Sequence, residues 1–402
     1  FQRLRLAGVL KSPLSGVLYV MDEPGFGLSM KDSLGIQKLI KALHEKGNTI
    51  ILSDHNPDIL EMADEIIELG PVGGENGGQL IGQGNGKDFL QKMRGIINGI
   101  QPLISPNLTG ISIQSANIHN VKNLDISFPA NTLSVLSGDS GSGKTSILQY
   151  VIHESFERKR ASNCADIKGL DIFDEHIFIE QDIYAGSTVS VPLTYLGLFD
   201  EIRKFFSAEA KSQNIALKAS HFSFFTRDGQ CPQCQGSGIH KVSLDFISDA
   251  VSACEMCDGD RYNAEVLNFS VDKFNISQLM NLSLKDLGVF LEKHFAKKIF
   301  AKVEKTFQIL NLIGLGYLSG NQSLNTLSSG EMQRLKLIKR LSELSSSNAL
   351  ILLDEPGSGL HPSDMQKMLG FFDYLLKEGH TIIVASHNPM IIKRANTRIN
   401  LT

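Results

Sequence analysis

Two pairs of adjacent carboxylates stand 332 residues apart, Asp22-Glu23 after VLYVM and Asp354-Glu355 after LILL. An apolar strand closed by two acids can bring one carboxylate to magnesium and the other to the water attacking a nucleotide γ-phosphate. Each pair enters a Pro-Gly turn. A histidine, His55 or His387, follows 33 residues beyond each aspartate. Both histidines end a second apolar run, TIILSDHNP or TIIVASHNP, and suit a sensor of the γ-phosphate. Two copies with matched spacing point to two homologous nucleotide-binding halves in tandem.

A glycine loop supplies the complementary chemistry. Gly138-Asp139-Ser140-Gly141-Ser142-Gly143-Lys144-Thr145 fits GxxxxGK[ST] in full, after an apolar strand and before an apolar-periodic helix. The glycines let backbone amides turn toward phosphate oxygens. The expected nucleotide contacts are Gly138, Ser140, Gly141, Gly143, Lys144, Thr145 and Ser146. Lys144 gives a positive charge to the β- and γ-phosphates, Thr145 a hydroxyl to magnesium, and the helix its N-terminal dipole. Asp354 and Asp22 are expected to hold Mg2+. Glu355 and Glu23 are the expected water-activating groups.

Leu327-Ser328-Ser329-Gly330-Glu331 resembles the signature of ABC ATPases. Its small residues, Gly330 among them, permit close approach to a γ-phosphate, with Ser328 as hydroxyl donor. Ser-x-x-Glu is also a plain helix cap, and both readings stand at this stage. Gln181 closes the run HIFIEQ at the place of a glutamine that contacts magnesium and the attacking water; a surface glutamine is the alternative. Cys231-Pro-Gln-Cys234 and Cys254-Glu-Met-Cys257 are two CxxC units with 19 residues between them and glycines after each. Four thiolates so spaced suit a closed tetrahedral Zn2+ site of structural type; a redox CxxC pair is the alternative, and the paired units with following glycines favour zinc. Cys164 stands alone.

The elements that must position these groups follow from the pattern. With 402 residues and 42% hydrophobic content the chain can form two to four domains. Residues 1–86 read as the C-terminal part of a first ABC ATPase domain, with a hairpin in the Gly-rich run, and 87–108 as a linker. Residues 109–195 and 301–402 read as a second ABC domain. Residues 196–300 read as an inserted zinc-knuckle domain. The opening Phe1-Gln2-Arg3-Leu4-Arg5-Leu6 matches Met332 to Leu337, so the chain reads as a fragment starting inside a first signature helix. ABC sites are composite, so weak ATPase activity is expected of these residues alone. The fold class is therefore α/β, tandem ABC-type P-loop halves with a zinc-containing insertion. No apolar run is long enough to span a bilayer, and a cytoplasmic location is the default. The net charge of −4 argues against a globally basic nucleic-acid binder.

The runs CPQCQGSG, CEMCDGDRYNAEVL, LSSGEMQRLKL and LLDEPGSGLH together resemble the UvrA family of bacterial excision-repair ATPases. The resemblance covers nearly the whole chain. It implies a dimeric ATPase that binds double-stranded DNA, senses damage or distortion, and works with a UvrB-type partner. It places the loop between the knuckles, 239–253, near DNA. Residues 196–300 carry 12 Lys and Arg against 13 Asp and Glu. That balance suits the alternative, a UvrA-like paralogue acting in resistance to DNA-binding drugs. A transporter ATPase subunit ranks behind both.

Overall fold

The computed structural model describes residues 15–24, 30–54, 56–70, 77–102, 110–180, 190–244, 247–358 and 360–401. His55 and Gln181 lie outside the described residues. The chain forms two compact units, 1–182 with 344–402, and 183–343.

The first unit begins with a strand, β1 (Leu18–Asp22), a helix, α1 (Met30–Glu45), and a parallel strand, β2 (Thr49–Ser53). Asn56 then caps a short helix, α2 (Pro57–Leu60), through its side chain. β3 (Ile66–Gly70) and β4 (Gln79–Gly84) form the hairpin expected from the Gly-rich run. The stretch expected as a linker is largely helical: α3 spans Gly86–Gly99. Asn85 caps it by accepting the Asp88 amide, and Leu90 and Met93, one turn apart, are buried. The sequence signal is the helical spacing of Phe89, Leu90, Met93 and Ile97, whose side faces inward while the polar residues sit on the exposed side.

Residues 111–128 alternate because they form two antiparallel strands, β5 (Ile111–Ile118) and β6 (Val121–Phe128). β7 (Leu133–Gly138) follows and leads into a helical segment, α4 (144–158), whose middle, Ile147–His153, is wound as a π-helix. β8 (Asp166–Lys168) pairs with β5, and β9 (Glu175–Ile179) enters the main sheet.

The second unit holds two helices, α5 (Pro192–Tyr195) and α6 (Phe199–Ser212), and an antiparallel hairpin, β10 (Ile239–Leu244) with β11 (Ile247–Ala253). The short helices Ala264–Leu267 and Ile276–Asn281, with the small antiparallel pair Ser270–Val271 and Phe274–Asn275 between them, are followed by α7 (Leu284–His294), α8 (Lys297–Ile313) and α9 (Ser329–Ser342). The expected insertion, 196–300, lies inside this unit, which also takes in the signature helix α9.

The chain re-enters the first unit with β12 (Ala349–Asp354), α10 (Pro362–Lys377), β13 (Thr381–Ala385), α11 (Pro389–Arg394) and β14 (Thr397–Leu401). The five-stranded sheet has the order β14-β7-β13-β12-β9, and every pair is parallel. All residues of β12 and β13 are buried, which is why both read as unbroken apolar runs. Ile147, Leu148, Val151 and Ile152 of α4 pack on Leu350, Leu352 and Ile383.

The repeat is visible in register as well as sequence. Leu18 pairs with Thr49 and Asp22 with Ser53; Leu350 pairs with Thr381 and Asp354 with Ala385. α1 and α10 each contain 16 residues. The surroundings differ. Val20 is 75% exposed, while Leu352, its counterpart, is fully buried. Leu352→Ala is expected to cost about 2–5 kcal/mol and Val20→Ala less than about 0.5 kcal/mol. Urea unfolding midpoints of the two variants check this difference between equivalent positions.

Candidate nucleotide site and cysteine cluster

Parallel pairing of β7, β13 and β12 sets the ends of three strands side by side, and the chemical groups cluster there. β7 ends at Gly138, with φ +143°; a Cβ there would lie 2.3 Å from the Leu401 carbonyl oxygen. Gly143, with φ +97°, approaches Val121 so closely that a Cβ would meet its Cγ2 at 2.4 Å. The glycines therefore serve both the turn and the packing of the β5–β6 hairpin on it.

The loop encloses one end of a cleft of about 340 Å³, lined by Gly138, Ser140, Gly141, Gly143, Lys144, Thr145, Ser146, Asp354, Glu355 and His387. Lys144 donates from Nζ to the carbonyls of Gly138 (2.8 Å) and Asp139 (3.0 Å). Thr145 Oγ1 donates to Asp354 Oδ2 at 2.8 Å, joining the first turn of α4 to the end of β12. Burial raises Asp354 to about 6, with Glu355 adding to the shift and the Thr145 hydroxyl opposing it. A buried carboxylate and a hydroxyl beside a phosphate loop form an oxygen donor set suited to magnesium.

Glu355 adopts a left-handed backbone, φ +48°, while its amide donates to the Ala385 carbonyl at 2.9 Å. Its carboxylate accepts from Ser386 Oγ (3.2 Å) and lies 3.0 Å from His387 Nδ1. That hydrogen bond raises His387 above its ordinary 6.5, outweighing burial. In the first half, Glu23 repeats the conformation with φ +42°, and its amide donates to the Ser53 carbonyl at 2.9 Å. A non-glycine residue in this region is uncommon, and its recurrence after both aspartates marks one backbone design used twice. Burial raises the Glu23 carboxyl, with Asp22 and Asp54 adding to the shift. Asp22 is exposed and accepts from the Ser53 hydroxyl.

His119 and Asn120 also line the cleft, and motif reading missed them. They form the turn between β5 and β6. Asn120 Nδ2 donates to the Gly141 carbonyl (2.8 Å), and His119 Nδ1 lies 3.0 Å from Ser146 Oγ. The one sequence signal was the polar His-Asn pair breaking the alternation in NIHNVKNL.

In the second unit, Ser328 is the N-cap of α9. Its side chain accepts the Glu331 amide (3.2 Å), and its own amide donates to Glu331 Oε2 (2.8 Å). This is the capping box that Ser-x-x-Glu permits. The Tyr317 hydroxyl donates to Glu331, and Arg334 donates to the Gly330 carbonyl.

Cys231, Cys234, Cys254 and Cys257 converge into one buried cluster, with all four sulfurs within 4.8 Å of one another. Cys231 and Cys254 Sγ are 3.9 Å apart, and Cys234 and Cys257 Sγ are 3.7 Å apart. Four sulfurs at about 2.3 Å from a tetrahedral zinc would stand roughly 3.8 Å from each other. Disulfides would bring them to about 2.0 Å. The turns carry left-handed Gly236, Gly238 and Gly259; a Cβ on Gly236 would meet the Phe224 carbonyl oxygen at 1.9 Å. Burial pushes Cys257 up to about 12, while at Cys234 the Gly238 and Gly236 amides outweigh burial and leave it at about 7. Four crowded thiols resist ionising together without a cation, so the donor set fits zinc.

Strand order, phosphate loop and the carboxylate-histidine ends define an ABC-type ATP-binding fold. A family described as "AAA domain, putative AbiEii toxin, Type IV TA system" matches residues 295–393. The UvrABC system protein A of Helicobacter pylori is 34% identical over the whole chain, which covers 44% of that relative. The namesake from Staphylococcus epidermidis is 32% identical, with 43% of it covered. The crystal structure of UvrA2 from Deinococcus radiodurans superposes with a TM-score of 0.86 at 30% identity, covering 99% of this chain and 49% of that one. Over its whole length the chain is similar to these UvrA proteins, and it spans less than half the length of the curated relatives.

The His387–Glu355 contact has a definite pH signature. His387 is raised, so the contact contributes fully below the ordinary value near 6.5 and is lost as pH rises through the raised value. An NMR titration of His387 is expected to give a midpoint above 6.5. In Glu355→Gln, where burial dominates, the midpoint is expected to fall below 6.5.

Proposed function

We propose that this chain is part of a UvrA-like ATPase that couples ATP hydrolysis to binding of distorted double-stranded DNA in excision repair. The observation carrying the ATPase reading is the convergence of Lys144, Thr145, Asp354, Glu355 and His387 on one cleft. Lys144 sits among the loop carbonyls, and the β- and γ-phosphates of ATP compete for it. Thr145 and Asp354 are the residues that would hold magnesium. When bound, that ion neutralises charge on the phosphates. Glu355 is the group that orients the attacking water and takes its proton, with Ser386 and His387 fixing its carboxylate. Gln181 and, in the first half, Asp22, Glu23 and His55 take the corresponding roles. Ser328 and Gly330 belong to the signature that caps a nucleotide held by another half.

The four cysteines would hold zinc as a structural centre from which the β10–β11 hairpin extends. Cys234 precedes the turn that leads into β10, Cys254 directly follows β11, and Cys254 donates its amide to the Gly238 carbonyl at 3.0 Å. That support makes the hairpin the proposed DNA-contacting element. The proposed partners are duplex DNA, a second copy of the chain and a UvrB-type protein. A cytoplasmic location accords with these partners. Among the described residues no helix is long and apolar enough to cross a membrane. The near-neutral balance of residues 196–300 favours a second reading, a UvrA-like paralogue in resistance to DNA-binding drugs.

Glu355→Gln is expected to keep ATP binding while hydrolysis falls by about 10²-fold or more, because only the transition state loses its partner. Unchanged turnover would remove Glu355 from this role. Duplex binding, titrated with undamaged and lesion-bearing DNA at two salt concentrations, is expected to be modest and to weaken steeply with salt. Salt-insensitive binding that ignores the lesion would favour the second reading.

A further inference from the structure

A second group of ligand-type side chains lies on the phosphate-loop helix, outside the residues that line the cleft. His153 closes the π-wound stretch of α4, and Glu157 follows one turn on. His176 sits on β9, opposite Leu350 of β12. His153 Nδ1 and His176 Nε2 face each other at 2.7 Å, and Glu157 Oε1 is 3.4 Å from the same Nε2. The three donor atoms lie within 4.8 Å of one another. Phe156 stacks on His176 with ring centroids 4.3 Å apart, and Phe178 lies 5.3 Å from His153, so the ring planes are set by packing.

Two imidazoles and one carboxylate are the donor set of borderline divalent ions, whereas calcium and magnesium prefer oxygen alone. At a metal–nitrogen distance of about 2.0–2.1 Å, two nitrogens on one ion stand roughly 3.0–3.4 Å apart. The observed 2.7 Å needs a few tenths of an ångström of opening, within reach of small side-chain rotations. The Glu157 side chain is 61% exposed, so one side of the group faces water and an ion can enter.

We propose that His153, Glu157 and His176 form a second metal site, for zinc or a similar borderline divalent ion, separate from the cysteine cluster. The ion would tie α4, which carries Lys144 and Thr145, to β9, the strand that leads in sequence to Gln181. Such a tie would brace α4 against β9.

Zinc titration with metal analysis of the purified chain tests the site. Wild type is expected to take up about two zinc ions per chain, one of them held more weakly. Glu157→Gln, at an exposed position, and His176→Gln are expected to weaken that second ion by about tenfold or more while keeping the first. Cys254→Ser is expected to lose the first and keep the second. Zinc beyond one equivalent should raise the melting temperature of wild type and not of Glu157→Gln. A single equivalent in wild type, lost entirely with Cys254→Ser, would overturn the proposal. So would a second ion held equally tightly by Glu157→Gln and His176→Gln.

Discussion

The hydrogen bond from Thr145 to Asp354 joins the phosphate-loop helix to the acidic strand, and the candidate site depends on it. The two residues are 209 positions apart in sequence. They meet because β7 and β12 both pair in parallel with β13, so their C-terminal ends fall at one edge of the sheet. Ligands of open α/β sheets gather at that edge. Burying Asp354 there lifts it to about 6, a cost that a cation would offset. The site thus trades stability of the free protein for readiness to bind.

The same backbone device appears twice. Glu23 and Glu355 both turn left-handed immediately after their aspartates, and both amides close onto the neighbouring strand. This turn aims the glutamate away from the strand axis. In the second half the carboxylate reaches Ser386 and His387. The duplication therefore extends from residue identity to φ angles and strand register, which chance similarity of short motifs does not produce.

Much of this was legible in the sequence because local patterns carry it. The phosphate loop, the two Asp-Glu strand ends and the paired CxxC units each compress a site into a dozen residues. Strands β12 and β13 showed as apolar runs since both their faces are covered. Other features depend on long-range contact. Helix α3 was read as linker because its buried residues, Leu90 and Met93, are few. His119 and Asn120 reach the cleft only through the packing of a hairpin turn on Gly141 and Ser146. His153 and His176 become neighbours only when α4 lies against β9. The signature's Ser328 reads both ways in sequence, and the structure displays its capping role.

The magnesium dependence of ATP affinity tests the account's central claim most directly. Calorimetric titration of ATP into the wild-type chain, with and without magnesium, is compared with Thr145→Ala and Asp354→Asn. If these two residues form one cation-holding unit, magnesium tightens ATP binding to wild type by about tenfold or more and hardly affects either variant. Equal magnesium enhancement in all three proteins would contradict it.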